Sequence, residues 1–153
     1  MENIYTFKSI LGNIKISESN NYITGIQFMK EEVIPKSKET PLLVQAVAQL
    51  EEYLSGSRKQ FELPINPNGT EFQKRVWHIL ETIPYGEHWS YKQVAIALGK
   101  PTAARAVGMA NNKNPIPIII PCHRVIGAKG DLVGYAAGLE IKMQLLQLEK
   151  REV

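Results

Sequence analysis

The chain has a single cysteine among its 153 residues, Cys122. That scarcity excludes an internal disulfide and fits a reducing compartment. Histidine is scarce too: His78, His88 and His123 stand in no recognised ligand spacing with one another or with Cys122, so no metal and no metal cofactor is expected. No apolar run approaches the ~20 residues of a membrane span. The opening MENIYTFKSI lacks the basic flank and apolar stretch of a signal peptide. A cytoplasmic protein is expected, nuclear if the source is eukaryotic, with no membrane partner. Carboxylates are missing from one long stretch. Between His88 and Gly130 there is no Asp or Glu, whereas Lys92, Lys100, Arg105, Lys113, Arg124 and Lys129 are basic. Residues 1–68 carry seven Lys/Arg against eight Asp/Glu, and residues 69–153 carry eleven against seven. Such a positive field suits a polyanion, whose condensed counterions are released on binding. A solvated basic surface would have the same composition.

A hydrophobic content of 44% with 22% charge is ordinary for a globular protein of one or two small domains. IYTFK, NIKIS and YITGIQF alternate apolar and polar positions and are separated by turn-like LGN and SNN, which predicts antiparallel strands. Thr40 as N-cap, then Pro41, predicts a helix with Leu43, Val47, Leu50 and Leu54 on one stripe, ended by Gly56. FELPINPNG, residues 61–69, has the composition of a linker. Beyond it the pattern is helical. Thr70 with Gln73 and Ser90 with Gln93 form capping boxes; the first opens a helix with Phe72, Val76 and Leu80 on one face. YKQVAIAL, stopped by Gly99, and AARAVGMAN, with Thr102 as its cap, read as two short helices joined by a tight turn. That is a helix-turn-helix pattern, although an ordinary αα corner looks alike. The second of these helices is built of small residues, and Arg105 is its only charge.

NPIPIIIP follows. Pro115, Pro117 and Pro121 fix φ and disfavour helix at the preceding residue, so an extended, rigid segment presenting Cys122 at its end is expected. LEIKMQLLQLEK predicts a closing helix with Ile141, Leu145 and Leu148 on one face and Glu149 on or beside it. A carboxylate so placed needs a partner. Cys122, His123 and Glu149 are the residue types of a relay that raises the thiolate fraction of a cysteine. Adjacent residues in an extended segment point opposite ways, so a direct Cys122–His123 contact would need a turn or a bridging water. A lone free cysteine is also often no more than a small buried hydrophobe.

The string IPCHRV preceded by NPIPI closely resembles the active-site signature of the O6-alkylguanine-DNA alkyltransferases. FQKRVW, IPYGEHWSY, AARAVGMANNKNP and GYAAGLEIKMQLLQLE resemble that family's other blocks in the same order, together covering roughly residues 70–149. The N-terminal part matches loosely. The resemblance implies an α/β fold of the α+β kind: residues 1–66 as a small antiparallel-sheet domain with a helix, ribonuclease-H-like, then residues 67–153 as a mainly helical, winged helix-turn-helix-like catalytic domain. It implies repair of double-stranded DNA by stoichiometric transfer of the alkyl group from O6-methylguanine, and from O4-methylthymine, to Cys122 after the damaged base is flipped out. The protein would be a methylated-DNA–protein-cysteine methyltransferase acting once, as a monomer, without a cofactor.

By motif position Cys122 is then the nucleophile, His123 a water-mediated base, and Glu149 the residue holding its tautomer. Asn114 braces the loop, Tyr91 donates to the guanine ring, and Arg105 fills the vacated stack. Lys92 and Lys100 contact phosphates, while Val125, Tyr135 and Ala136 line the base pocket. The sequence departs from the family in three respects. The cysteines of the vertebrate zinc site are missing. Tyr135-Ala136-Ala137 replaces the usual pocket-loop residues. The chain is also too short for the additional regulatory domain of the adaptive-response activator. Alkyltransferase-like binders replace the nucleophile, which PCHR keeps. A helix-turn-helix regulator or a cysteine hydrolase gives no account of the whole set of blocks.

Overall fold

The structure is a computed structural model that describes residues 2–30, 37–127, 135 and 138–150. The chain divides into two compact units, Met1–Asn68 and Gly69–Val153.

In the first unit β1 (Asn3–Ser9), β2 (Gly12–Ser19) and β3 (Tyr22–Met29) form an antiparallel sheet in that order. Register aligns Phe7, Ile14 and Phe28, and beside them Tyr5, Ile16 and Ile26, so each row presents apolar side chains to one face. Asn20 and Asn21 both take positive φ, 53° and 68°, in the two-residue turn between β2 and β3. Asparagine tolerates that left-handed pair, whose twist matches the strands it joins. Helix α1 (Pro41–Leu54) is capped by Thr40, which accepts from the Leu43 amide, and it ends before Gly56, whose φ is +90°. Its inner face differs from the expected stripe. Val47 is only half-buried, and the covered side is Leu42, Leu43, Ala46, Gln49, Leu50, Tyr53 and Leu54. Gln49 belongs there because its amide brackets the Glu62 backbone, accepting from its N–H at 2.9 Å and donating to its carbonyl at 3.3 Å. The expected linker is thus partly docked: Ile23 donates to the Pro64 carbonyl and its own carbonyl accepts from Asn66, with Ile65 bridging Ile23 in parallel.

In the second unit both predicted capping boxes form, opening α2 (Glu71–Leu80) and α3 (Tyr91–Ala97). Val76, Trp77 and Leu80 are the buried face of α2, and Phe72 is half-buried. The Trp77 indole donates to the Ala110 carbonyl of α4 (Ala104–Asn112) at 2.8 Å, tying α2 to that helix. Gly69 lies under the same ring, and a Cβ there would collide with it. Helices α3 and α4 are joined through Gly99, whose φ of +83° suits glycine. The residue at the N-cap of α4 is Ala103, without a side-chain cap bond, so Thr102 does not cap it.

The proline segment is not extended. Ile120 donates back to the Ile116 carbonyl, Pro117 bridges Ile120, and Ile118 takes φ of +75°. Prolines forbid helix but not a turn, and Asn114 supplies the partners such a fold-back lacks. Its Oδ1 accepts from the Ile116 amide at 2.9 Å and its Nδ2 donates to the Ile120 carbonyl at 2.8 Å. A 3-10 turn, Cys122–Arg124, follows, and then β5 (Val125–Ile126), which pairs in parallel with β4 (Trp89–Ser90). Helix α5 (Leu139–Lys150) closes the unit with Leu145 and Leu148 buried, Ile141 half-buried and Lys142 fully covered.

Candidate active site

The 3-10 turn places Cys122 and His123 in different surroundings. His123 reaches α5, where Nε2 meets Glu149 Oε2 at 2.7 Å, and both side chains are buried. Arg124 clamps the same carboxylate: Nε donates to Oε1 at 2.9 Å and Nη2 to Oε2 at 3.0 Å, while Nη1 donates to the Ile83 carbonyl at 2.7 Å. The guanidinium also sits 5.7 Å from the centre of the Tyr85 ring. The Gly86 amide adds a further bond to Glu149 Oε1, from a backbone with φ of +83°.

Burial works to raise the Glu149 carboxyl, but His123 and Arg124 outweigh it and hold the group down at about 2. Glu149 is therefore an anion at any ordinary pH, and as acceptor it keeps the His123 proton on Nε2. Burial lowers the imidazole pKa, against the pull of Glu149. The ring is thus neutral, with an unprotonated Nδ1 able to receive a proton.

Cys122 is 4% exposed, and burial pushes its thiol up to about 11. Asn114, Lys142 and Tyr135 act in the opposite direction. Lys142 is buried on the inner side of α5, and that burial brings its ammonium down to about 8, a thiolate at Cys122 being the opposing influence. Tyr91, first residue of α3, has its hydroxyl pKa raised by burial and then by Cys122; Tyr135 is raised well above its ordinary value for the same two reasons. The Tyr135 hydroxyl faces the sulfur without strict hydrogen-bond geometry to any partner among the described residues. At rest the site thus holds a neutral thiol, a neutral imidazole, two neutral phenols and one ammonium, the last partly titrated near neutrality. Asn114, Lys142 and Tyr135 favour the thiolate once it forms.

Of the residues singled out in the sequence, Cys122, His123, Glu149, Asn114, Tyr91 and Tyr135 come together. Val125 is completely covered, and it pairs with Trp89, which fixes the strand leading into Tyr91. Arg105, Lys92 and Lys100 lie outside the cluster and are exposed, with the Lys100 ammonium 5.9 Å over the Phe72 ring. Gly108 of α4 faces the Tyr91 ring, where a Cβ would lie at 3.7 Å, so the small residues of α4 permit this packing. Ala136 lies outside the described residues. Sequence reasoning missed Arg124 and Lys142. Helical spacing held a signal for the second, since Lys142 stands three before Leu145 and seven before Glu149. Among the described residues no group of His, Cys, Asp and Glu could hold a metal ion, and no helix is long and apolar enough to cross a membrane.

The chain is similar to known proteins in both sequence and fold. Residues 71–151 match the family model of the 6-O-methylguanine DNA methyltransferase DNA-binding domain, and residues 4–67 match that family's ribonuclease-like domain. A methylated-DNA–protein-cysteine methyltransferase of Methanosarcina acetivorans is 47% identical over 148 residues, 94% of this chain and 95% of that one. Its counterpart in Methanosarcina barkeri is 58% identical over 109 residues, 71% of this chain and 69% of that one. The crystal structure of Mycobacterium tuberculosis OGT in complex with DNA superposes with a TM-score of 0.89 at 42% identity, covering 97% of this chain and 92% of that one. Two family models together spanning nearly the whole sequence, and relatives of such identity over such lengths, place the chain in the 6-O-methylguanine DNA methyltransferase family.

Proposed function

We propose that this protein repairs double-stranded DNA directly, moving the alkyl group from O6-alkylguanine, and from O4-alkylthymine, onto Cys122 in a single turnover. The observation that carries this reading is the buried Cys122 thiol beside the phenols of Tyr91 and Tyr135 and next in sequence to His123, whose imidazole Glu149 and Arg124 anchor. The target atom is out of reach within a stacked duplex, so the nucleotide must be turned out at a cost of a few kcal/mol. Arg105, exposed on α4, occupies the gap it leaves, and Lys92 and Lys100 hold phosphates without reading sequence.

The displacement balances as follows. The sulfur electron pair forms the S–C bond, the C–O bond breaks, and its electrons stay on the base. The thiol proton passes through water to His123 Nδ1, and Tyr91 donates toward the ring nitrogen as negative charge develops there. Burial pushes the thiol up to about 11, so little thiolate is present at rest and its formation depends on a proton acceptor. The thioether product is not cleaved by water, and no second cysteine exists to exchange with it. In this reading residues 1–66 and 67–153 are the two domains, the second catalytic, acting as a cytoplasmic monomer without a cofactor.

Incubation with a duplex containing O6-methylguanine tests this. The peptide bearing Cys122 should gain one methyl in place of hydrogen, and Cys122→Ser should bind the lesion and leave it intact. Repair by that variant would overturn the assignment.

A further inference from the structure

Helix α4 carries a buried amide that neither the fold nor the proposed chemistry uses in full. Asn111 is 2% exposed, on the covered side of the helix with Val107 and Ala110. Its Nδ2 donates to the Cys122 carbonyl at 3.4 Å, so the amide lies against the backbone of the reacting residue. Turning the amide over would set two oxygens against each other, and that contact therefore fixes its orientation. Oδ1 is then left buried with no hydrogen-bond partner among the described residues. An acceptor in that state costs free energy until a donor reaches it. Gly108, one turn earlier on α4, faces the Tyr91 ring, so the phenol and the amide stand along one side of the helix beside Cys122.

We propose that Asn111 Oδ1 accepts a hydrogen bond from the exocyclic 2-amino group of the everted guanine and so makes the site select guanine lesions over thymine lesions. The inference rests on the repair reading above and deepens it by naming the residue that ranks the two substrates. In guanine, N3 and the 2-amino group share one ring carbon. A base whose N3 meets the Tyr91 hydroxyl therefore brings an N–H donor to the amide beside it. Thymine has the acceptor O2 in place of that amino group, and two facing acceptors repel. Cys122 is about as closely covered as Asn111, so the opening that admits an alkyl carbon to the sulfur also admits the base edge to the amide. A buried acceptor rejects a substrate lacking the matching donor far better than an apolar wall does.

The test measures single-turnover methyl transfer to Cys122 from duplexes that differ only in the lesion: O6-methylguanine, O6-methylhypoxanthine, which lacks the 2-amino group, and O4-methylthymine. The unaltered protein is compared with Asn111→Leu and Asn111→Ala. Removing the amide and removing the amino group break the same bond. The rate on O6-methylguanine relative to O6-methylhypoxanthine should therefore fall about tenfold in either variant, and pairing strength in the duplex cancels because it enters both ratios alike. The guanine-to-thymine ratio should fall as well. An Asn111 that only supports the Cys122 backbone would slow all three substrates in proportion, and unchanged ratios would overturn the proposal. The unaltered protein is also given the free bases, where no pairing enters. Free O6-methylguanine should react about tenfold faster than free O6-methylhypoxanthine, and equal rates would overturn the proposal even if neither variant folds. Transfer from the O6-methylguanine duplex with unchanged ratios removes this inference alone, whereas absence of transfer by the unaltered protein removes the repair reading and the inference with it.

Discussion

Arg124 and Glu149 meet side-on within the second unit, Nε 2.9 Å from Oε1 and Nη2 3.0 Å from Oε2, and the carboxylate they share with His123 is thereby kept ionised. The two residues are 25 apart in sequence, one in the 3-10 turn and the other near the end of α5. Their pairing fastens the catalytic turn to the closing helix. Removing one partner leaves a buried charge uncompensated. Arg124→Met should therefore cost about 3–5 kcal/mol, read by chemical denaturation, and transfer should slow as His123 loses its fixed acceptor. A variant with unaltered stability would show that the pair does not anchor the turn.

The pH dependence of stability follows from the same carboxylate. Its pKa is held at about 2 in the folded protein against 4.5 ordinarily. The stabilisation is therefore fully present above pH 4.5 and is lost as pH falls toward 2. A shift of that size corresponds to about 3 kcal/mol. Denaturation midpoints at pH 7 and pH 3 should differ more for the native sequence than for Glu149→Gln. The Gln variant should also transfer methyl about a hundredfold or more slowly, because an amide does not impose the required His123 tautomer.

Thiol reactivity checks the electrostatics around the sulfur. Alkylation of Cys122 by iodoacetamide should rise with pH toward a midpoint of about 11 instead of the ordinary 9. Lys142→Met removes the buried ammonium that favours the thiolate and should slow alkylation chiefly below about pH 8, where Lys142 carries its charge. A midpoint near 9 in the native sequence would show that the thiol is less enclosed than described.

Two exposed or semi-exposed positions separate loop support from base displacement. Asn114→Ala deprives the Ile116 amide and the Ile120 carbonyl of partners, at about 1–3 kcal/mol for each group left unsatisfied. It should release a segment in which Ile118 is held at positive φ, seen as faster proteolysis near residues 114–122.

Arg105→Ala leaves the thiol cluster untouched, since Arg105 stands outside it on α4. It should slow repair within duplex DNA at least tenfold while changing reaction with the free O6-methylguanine base far less. Equal loss on both substrates would remove its role in the vacated stack.

Most elements and their caps were legible in the amino-acid order. Thr40, Thr70 with Gln73, Ser90 with Gln93 and the asparagine turn at residues 20 and 21 act through neighbours within four positions, so local chemistry settles them. The residue types for a thiol relay were likewise visible in Cys122, His123 and Glu149. Misreadings arose where a side chain bonded to backbone that sequence pattern does not identify as its partner. Gln49 turned inward because the Glu62 backbone offers both a donor and an acceptor. The isoleucine-proline run folded back because Asn114 ties its two ends.

The amino-acid order by itself determined the periodicity, the helix starts, the single thiol and the uninterrupted basic stretch, all of which depend on bonds and spacings along the chain. Only the tertiary structure decided that Arg124 shares Glu149 with His123 and that Lys142 points inward toward Cys122. Charge pairing in a buried site depends on distance in space and on exclusion of water. Neither quantity is set until α5 closes against the turn that bears the cysteine.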